Sequence, residues 1–376
     1  MEKKKLIYLS FITFCYYIVV GVALSIFSIL LDKQNVSTTL IGLSDSVRRL
    51  SGFVFVSLLP IIVHKIGIIK TISSTILTYS IILLILPFVK NYYLWLGLIV
   101  FFGMSMMSTM TLIDSITNSA VDNSERGKTN GFINTIILIA IAIAPFITNI
   151  IENNKLLYVI ILSIFLLNML AIYFCKNFKE YNQIQFIKHL NLIDFFKKTP
   201  DIFISKIFLE FFSNSLFIFT IVYLNNNGYS YAIGGKCLSI YCFAGLIASY
   251  FTGVLIQKSK NANLLLKEST LFTILLCFSI RYAIASEYAL YIVYGLLGIS
   301  TGFIILGTLI SLDSHYEKEK LVSANAVLTL FGSIAMVFSG IITGYFINKY
   351  NSMILASCFI GFIYIVQLIY AEIKKN

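Results

Sequence analysis

Asp45, Arg48, Arg49 and Gly52 follow i, i+3, i+4 and i+7 spacing, which places one carboxyl and two guanidinium groups on a single helix face. A guanidinium fork grips a carboxylate or phosphate through two parallel hydrogen bonds. Two arginines against one acid leave a net positive charge. The cluster therefore either braces its own helix, with Asp45 neutralising one arginine, or meets an anion. Lys206 and Glu210 stand four apart, with Asn214 on the same stripe, an arrangement for an internal ion pair with a polar neighbour. Lys206 can reach toward the nearer membrane surface and leave Glu210 as the deeper group. Asp114 is a further acid able to load and release a proton, or else a solvated residue at a helix end. Tyr16, Tyr17, Phe211, Phe212, Tyr223 and Tyr241 offer stacking faces to an amphipathic ligand, or simply pack.

Other chemistries find no residues to carry them. His64, His189 and His315 are far apart, and the six cysteines have no C-x-x-C spacing, so neither a metal nor a disulfide is expected. No phosphate-binding loop is present, and no nucleophile is paired with a base. The expectation is a chain that is not an enzyme and needs no cofactor.

The elements that must position these charges are membrane helices. The 376 residues are 58% hydrophobic and only 12% charged, with a mean hydropathy of +0.89, the composition of a polytopic membrane protein. Hydrocarbon about 30 Å thick requires about 20 helical residues. Apolar runs of that length predict twelve spans: 6–31, 39–63, 70–89, 93–116, 130–151, 156–174, 202–224, 231–256, 263–285, 288–312, 321–347 and 352–371. A charge at the centre of such a helix costs about 2.5–3.5 kcal/mol, so the embedded acids and arginines should face the protein interior or water. Lys236 and Arg281 add positive potential to the outer half or reach to the interface. Tyr92, Tyr93, Trp95, Tyr288 and Tyr350 are expected in the interfacial aromatic belt.

Nineteen of the 28 cations fall on the side that holds both termini, against Lys33, Lys90, Lys155 and Lys349 on the other. The positive-inside rule makes that side cytoplasmic and places the protein in the cell membrane. The net charge of +11 then faces anionic lipid, and nucleic acid is not an expected partner. The basic and then apolar start, Met1 to Ser28, is longer than a secretory h-region and reads as the first helix.

The longest interruption, Cys175 to Pro200, carries five lysines and divides the chain into a six-helix bundle over 1–174, a cytoplasmic linker over 175–200 and a second six-helix bundle over 201–376. Within the linker, Phe186 to Phe196 is apolar enough to lie along the membrane surface. The halves repeat: adding 195 carries Gly103 to Gly298, Asn130 to Asn325 and Pro145 to Gly340. Duplicated transporter halves show this kind of weak internal symmetry.

After span two, Pro60-Ile-Ile-Val-His64-Lys65-Ile-Gly67-Ile-Ile-Lys70 stands where the major facilitator superfamily carries G-x-L-x-D-[RK]-x-G-[RK]-[RK]. Gly253-Val-Leu-Ile-Gln257-Lys258 is the matching copy after span eight. The chain resembles that family, with the loop and its cation kept and the acid replaced by His64 or Gln257. Glu125-Arg126-Gly127-Lys128 resembles the family's polar turn before span five. Ala140, Ala144 and Pro145, with Thr148 and Asn149, resemble its antiporter pattern of small residues around a proline, which lets helix backbones approach. The resemblance implies an all-α fold of twelve transmembrane helices in two pseudo-symmetric bundles. Spans one, four, seven and ten would line the cavity.

The expected function is secondary active transport of a small anionic or zwitterionic compound by alternating access, with proton-coupled export favoured by the antiporter-like pattern. Arg48, Arg49, Tyr17 and Tyr241 are the expected substrate contacts. Glu210, Asp114 and Asp45 are the proton-coupling candidates, His64, Lys65, Gly67, Gln257 and Lys258 the gating loops, and Ala140, Ala144 and Pro145 the packing motif. The partners are the substrate, a proton or other coupling ion and the lipid bilayer, with one copy of the chain sufficient. A proton-coupled importer of a nutrient or organic acid uses the same charges, and a receptor or scaffold that moves nothing is the remaining alternative.

Overall fold

A computed structural model describes residues 3–120, 126–148, 154–178, 199–259, 262–316 and 318–373. Its helices are α1 (Lys3–Asp32), α2 (Thr38–Val56), α3 (Leu59–Ile66), α4 (Ile68–Ile85), α5 (Tyr92–Ala120), α6 (Arg126–Thr148), α7 (Asn154–Cys175), α8 (Pro200–Asn226), α9 (Tyr231–Ser259), α10 (Ala262–Ala283), α11 (Glu287–His315), α12 (Lys318–Tyr350) and α13 (Leu355–Ile373). Helix is the state in which an apolar segment satisfies its own backbone hydrogen bonds inside hydrocarbon. Among the described residues, nine helices are long and apolar enough to cross a membrane, and the α2–α3 pair makes a tenth; shorter apolar stretches, Thr135–Pro145 and Leu355–Tyr370, lie on α6 and α13. Each of the twelve expected spans coincides with one of these helices or, for span two, with the pair.

Span two departs from the expected single helix. It bends by 57° between α2 and α3, just before Pro60 in the first turn of α3. A proline at that place cannot donate to the carbonyl of Val56, and its ring crowds that carbonyl, so the helix stops and restarts. A second turn ends α3 at Gly67, whose φ of +84° lies in the left-handed region and whose N–H donates to the Val63 carbonyl at 2.8 Å.

The chain divides into two compact units. The first comprises Met1–Asn35 and Ser44–Phe186, the second Val36–Leu43 and Ile187–Asn376. In the first, α1 packs on α6 and α7, and α4 on α5 and α7. Trp95, Tyr79 and Phe102 are buried at its centre. In the second, α9 and α10 pack on α11, and α12 on α8, around Ile202, Leu209, Leu266, Ile304 and Leu328. The start of α2 is held in the second unit by backbone approach: Thr38 Oγ1 donates to the Gly344 carbonyl at 2.9 Å. A Cβ on Gly42 would lie 1.9 Å from the Gly340 carbonyl oxygen. Side-chain hydroxyls tie helices where no charge is available. Thr109 donates to Thr75 at 2.8 Å between α5 and α4, and Thr273 to Ser300 at 2.9 Å between α10 and α11.

Trp95 is a correction to the expected aromatic belt. It is only 1% exposed, donates from Nε1 to Ser44 Oγ at 3.0 Å and stands edge-on to Phe27. A buried indole needs an acceptor, and Ser44 supplies one. Tyr93 and Tyr288 are 82% and 79% exposed, as belt residues are. Phe211, Phe212 and Tyr223 are buried in the second unit, which leaves them packing rather than stacking on a ligand. The linker residues 179–198, including Phe186 to Phe196, lie outside the described residues.

Candidate functional site

The charge cluster of α2 belongs to the first unit. Helical spacing brings Asp45 beneath both arginines, and the carboxylate divides itself between them. Oδ1 accepts from Arg48 Nε at 3.0 Å and from the Arg48 Nη2. Oδ2 accepts from Arg49 Nε at 3.0 Å. Asp45 thus offsets one positive charge while orienting both arginines. The side chains of Asp45, Arg48 and Arg49 are 8%, 11% and 19% exposed, so the group is largely desolvated yet reachable. Two cations against one anion give it one net positive charge, and low local dielectric strengthens its pull on an anion.

Tyr16 and Tyr17 stand edge-on to each other at 4.9 Å on α1. Tyr16 lies within electrostatic reach of Asp114, Arg48 and Arg49, and Tyr17 within reach of Asp114. Three elements, α1, α2 and α5, thus contribute to one polar face of the first unit. Tyr17 is half-buried and Asp114 exposed.

The second unit holds the other charged pair. Lys206 Nζ lies 2.5 Å from Glu210 Oε1, with the two side chains 24% and 22% exposed. Both stems lie over Gly332 of α12, where an added Cβ would come within 2.9 Å of Glu210 Cγ and 3.5 Å of Lys206 Cε. Tyr241 is buried and its hydroxyl meets Ser213 Oγ at 3.1 Å, within reach of the Glu210 charge. Asn214 donates to Ser339 Oγ at 2.6 Å and to the Met336 carbonyl at 3.1 Å, so it ties α8 to α12 instead of extending the ion pair.

The internal repeat is visible as matched contacts. A Cβ on Gly103 would meet the Arg48 carbonyl oxygen at 1.9 Å; one on Gly298 would meet the Tyr241 carbonyl oxygen at 2.2 Å. Gly52 faces the Gly103 carbonyl as Gly245 faces that of Gly298. Gly21 packs on Ala144 and Ile141 where Asn214 meets Ser339 and Met336. The 195-residue offset holds for α5 with α11 and α6 with α12, whereas α1 with α8 and α2 with α9 are related by 193. Arg48 therefore corresponds to Tyr241, Tyr17 to Glu210, and Thr13 to Lys206. The scaffold is shared and the charges are not: among the described residues the places of Arg48, Lys206 and Glu210 are taken in the other unit by Tyr241, Thr13 and Tyr17.

Of the remaining sequence candidates, His64 and Lys65 are exposed at the end of α3 before the Gly67 turn. Gln257 and Lys258 fall in the last turns of α9, and their side chains lie outside the described residues, as do those of Arg126 and Lys128. Ala140, Ala144 and Pro145 are buried. At Gly21 a Cβ would come within 2.4 Å of Ala144 Cβ, the close helix approach that small residues permit. Among the described residues no group of three or more metal-ligating side chains occurs. The sequence reading missed Ser213, although it stands three residues after Glu210 on the same helix face, and Gly332, which lies on another helix and which no spacing rule links to Glu210. It also missed Asp201, which pairs with Lys267 at 3.0 Å and accepts from Gln367 at 2.5 Å beside a cavity of about 60 Å³ that includes Thr199, Asn263 and His315.

The sequence profile of the Major Facilitator Superfamily matches residues 9–339. Crystal structures of the nucleoside transporter NupG superimpose with a TM-score of 0.73 at 13% identity, covering 96% of each chain. A bacterial homologue of the human lysosomal transporter Spinster gives 0.67 at 11% identity, covering 92% of this chain and 83% of that one. No curated protein matches the sequence at a significant level. At these identities the structural likeness speaks to the fold.

Proposed function

Because the chain belongs to the Major Facilitator Superfamily, whose members of this fold include transporters, we propose that it moves a small anionic or zwitterionic organic compound across the cell membrane by alternating access, exporting it in exchange for protons. The observation that carries this reading is the α2 cluster: two guanidinium groups oriented by one carboxylate, 11% and 19% exposed, with one net positive charge. Guanidinium groups grip anions through paired hydrogen bonds. Glu210 and Asp114 are the acids this reading assigns to proton exchange. Glu210 sits beside its lysine in the second unit, and Asp114 is exposed near Tyr17 in the first.

Flux in proteoliposomes tests the reading. With a proton gradient and a panel of organic anions, zwitterions and a nucleoside, wild type should show gradient-driven movement of an anionic or zwitterionic compound, and Arg48→Ala should lose it. Flux that runs inward with protons, measured in vesicles of defined orientation, would replace export by import. Unchanged coupling in both Glu210→Gln and Asp114→Asn would remove these acids from the mechanism.

A further inference from the structure

Lys206 and Glu210 form an ion pair that the fold does not require. The equivalent places on α1 are Thr13 and Tyr17, neither of which carries a charge. The Thr13 hydroxyl simply returns to the Leu9 carbonyl at 2.8 Å. Burying charge in a membrane helix is costly, so a pair found in one repeat and absent from the other calls for a use beyond packing.

The geometry around Glu210 is that of a receptor for an ammonium group. Its carboxylate already holds one, Lys206 Nζ at 2.5 Å. The missing side chain at Gly332 lets the Glu210 stem lie against α12. The Tyr241 hydroxyl, bridged to Ser213 at 3.1 Å, adds a neutral polar group within reach of the same charge. The resident ammonium is removable. It sits one turn nearer the start of α8 than Glu210, on a flexible four-carbon stem that can withdraw toward the helix end. The pair is 22–24% exposed, so an incoming group can reach it.

We infer that Glu210 is the subsite for a primary ammonium group of the cargo, and that Lys206 is its resident placeholder, an intramolecular ammonium that the cargo displaces. This rests on the reading of the protein as a transporter whose α2 cluster attracts an anionic group. The carboxylate holds Lys206 or the cargo in turn and never both at once, so arrival of the cargo is tied to departure of the lysine. A tethered competitor acts at an effective concentration in the millimolar range, so Lys206 weakens cargo binding while keeping the empty carboxylate paired.

Binding to the purified full-length protein tests this with two probes: ethylammonium, which lacks a carboxylate, and propionate, which lacks an amine. The isosteric Glu210→Gln should lose the ethylammonium binding that wild type shows. Lys206→Met should bind ethylammonium at least tenfold more tightly than wild type and regain thermal stability when it is added. The double variant Lys206→Met with Glu210→Gln, which carries no orphaned charge, should not respond. Equal ethylammonium binding in Lys206→Met and the double variant overturns the subsite. Propionate binding that survives Arg48→Ala, with the ammonium dependence intact, instead overturns the anion-cluster reading and leaves the subsite standing.

Discussion

Substituting Gly103 by alanine tests whether the backbone of α5 sets the position of the arginine cluster. The added Cβ would lie 1.9 Å from the Arg48 carbonyl oxygen, 2.6 Å from Ser51 Oγ and 2.7 Å from the Arg48 carbonyl carbon. A carbon and a carbonyl oxygen rest at about 3.3 Å, so α2 must retreat by roughly 1.4 Å. None of the three neighbours is the far end of a flexible side chain except the serine hydroxyl, which also bonds the Val100 carbonyl at 3.0 Å. Overpacking of this kind costs about 1–3 kcal/mol. The retreat carries Arg48 with it, and a displaced charge-assisted hydrogen bond is worth about 1.5–3 kcal/mol, which is roughly a ten- to hundredfold loss of affinity for an anion. Gly97 lies on the same helix with nothing within 4 Å of its virtual Cβ, so Gly97→Ala gains about 0.5–1 kcal/mol of helix preference and no clash. Gly298→Ala repeats the perturbation beneath Tyr241 in the second unit, at 2.2 Å. Thermal unfolding of the purified variants and titration with propionate give both readouts. Gly103→Ala should unfold at lower temperature than wild type and bind propionate more weakly, whereas Gly97→Ala should do neither. If Gly103→Ala matches Gly97→Ala in stability and in affinity, the tight seating of α2 on α5 and its control of Arg48 are both refuted.

Asp45→Asn should destabilise strongly, by about 3–5 kcal/mol, because two partly buried guanidinium groups lose their common anion. Asp45→Asn combined with Arg48→Met should recover much of that loss in thermal unfolding, and no recovery would mean that the ion pairs contribute little. Gly67→Ala forces a side chain into the left-handed region at φ +84°, at a cost of about 1–2 kcal/mol. Since nothing lies within 4 Å of the virtual Cβ, the loss should be in stability with little change in the affinity for propionate.

Much of the architecture can be read along the chain. The apolar runs mark the helices, and the grouping of Asp45 with Arg48 and Arg49, or of Lys206 with Glu210, follows from helical spacing within one element. Partners on other elements could not be read so. Ser44 as the acceptor for Trp95, Gly332 beneath Glu210 and Ser213 against Tyr241 bring together residues whose separation in sequence carries no periodicity. The repeat was partly legible. The 195 offset holds for two helix pairs and slips to 193 for the other two, so matching by one offset finds Gly103 with Gly298 but misses Arg48 with Tyr241. The break in span two had its cause in plain view at Pro60. An uninterrupted apolar run reads as one span, however, because hydropathy registers side chains and is indifferent to a lost backbone donor.

The sequence by itself determined that this protein is a bundle of membrane helices and which turns carry charge. Hydrocarbon demands local backbone pairing and a minimum apolar length, and both are properties of contiguous residues. Only the tertiary structure decided that the first turns of α2 belong with the second unit and that glycine backs the carbonyls of Arg48 and Tyr241. It also decided that the two repeats set a cationic cluster and an ammonium-bearing acid on a common scaffold. Those outcomes depend on how closely helices distant in the chain approach, and that distance is fixed by side chains meeting across the interface.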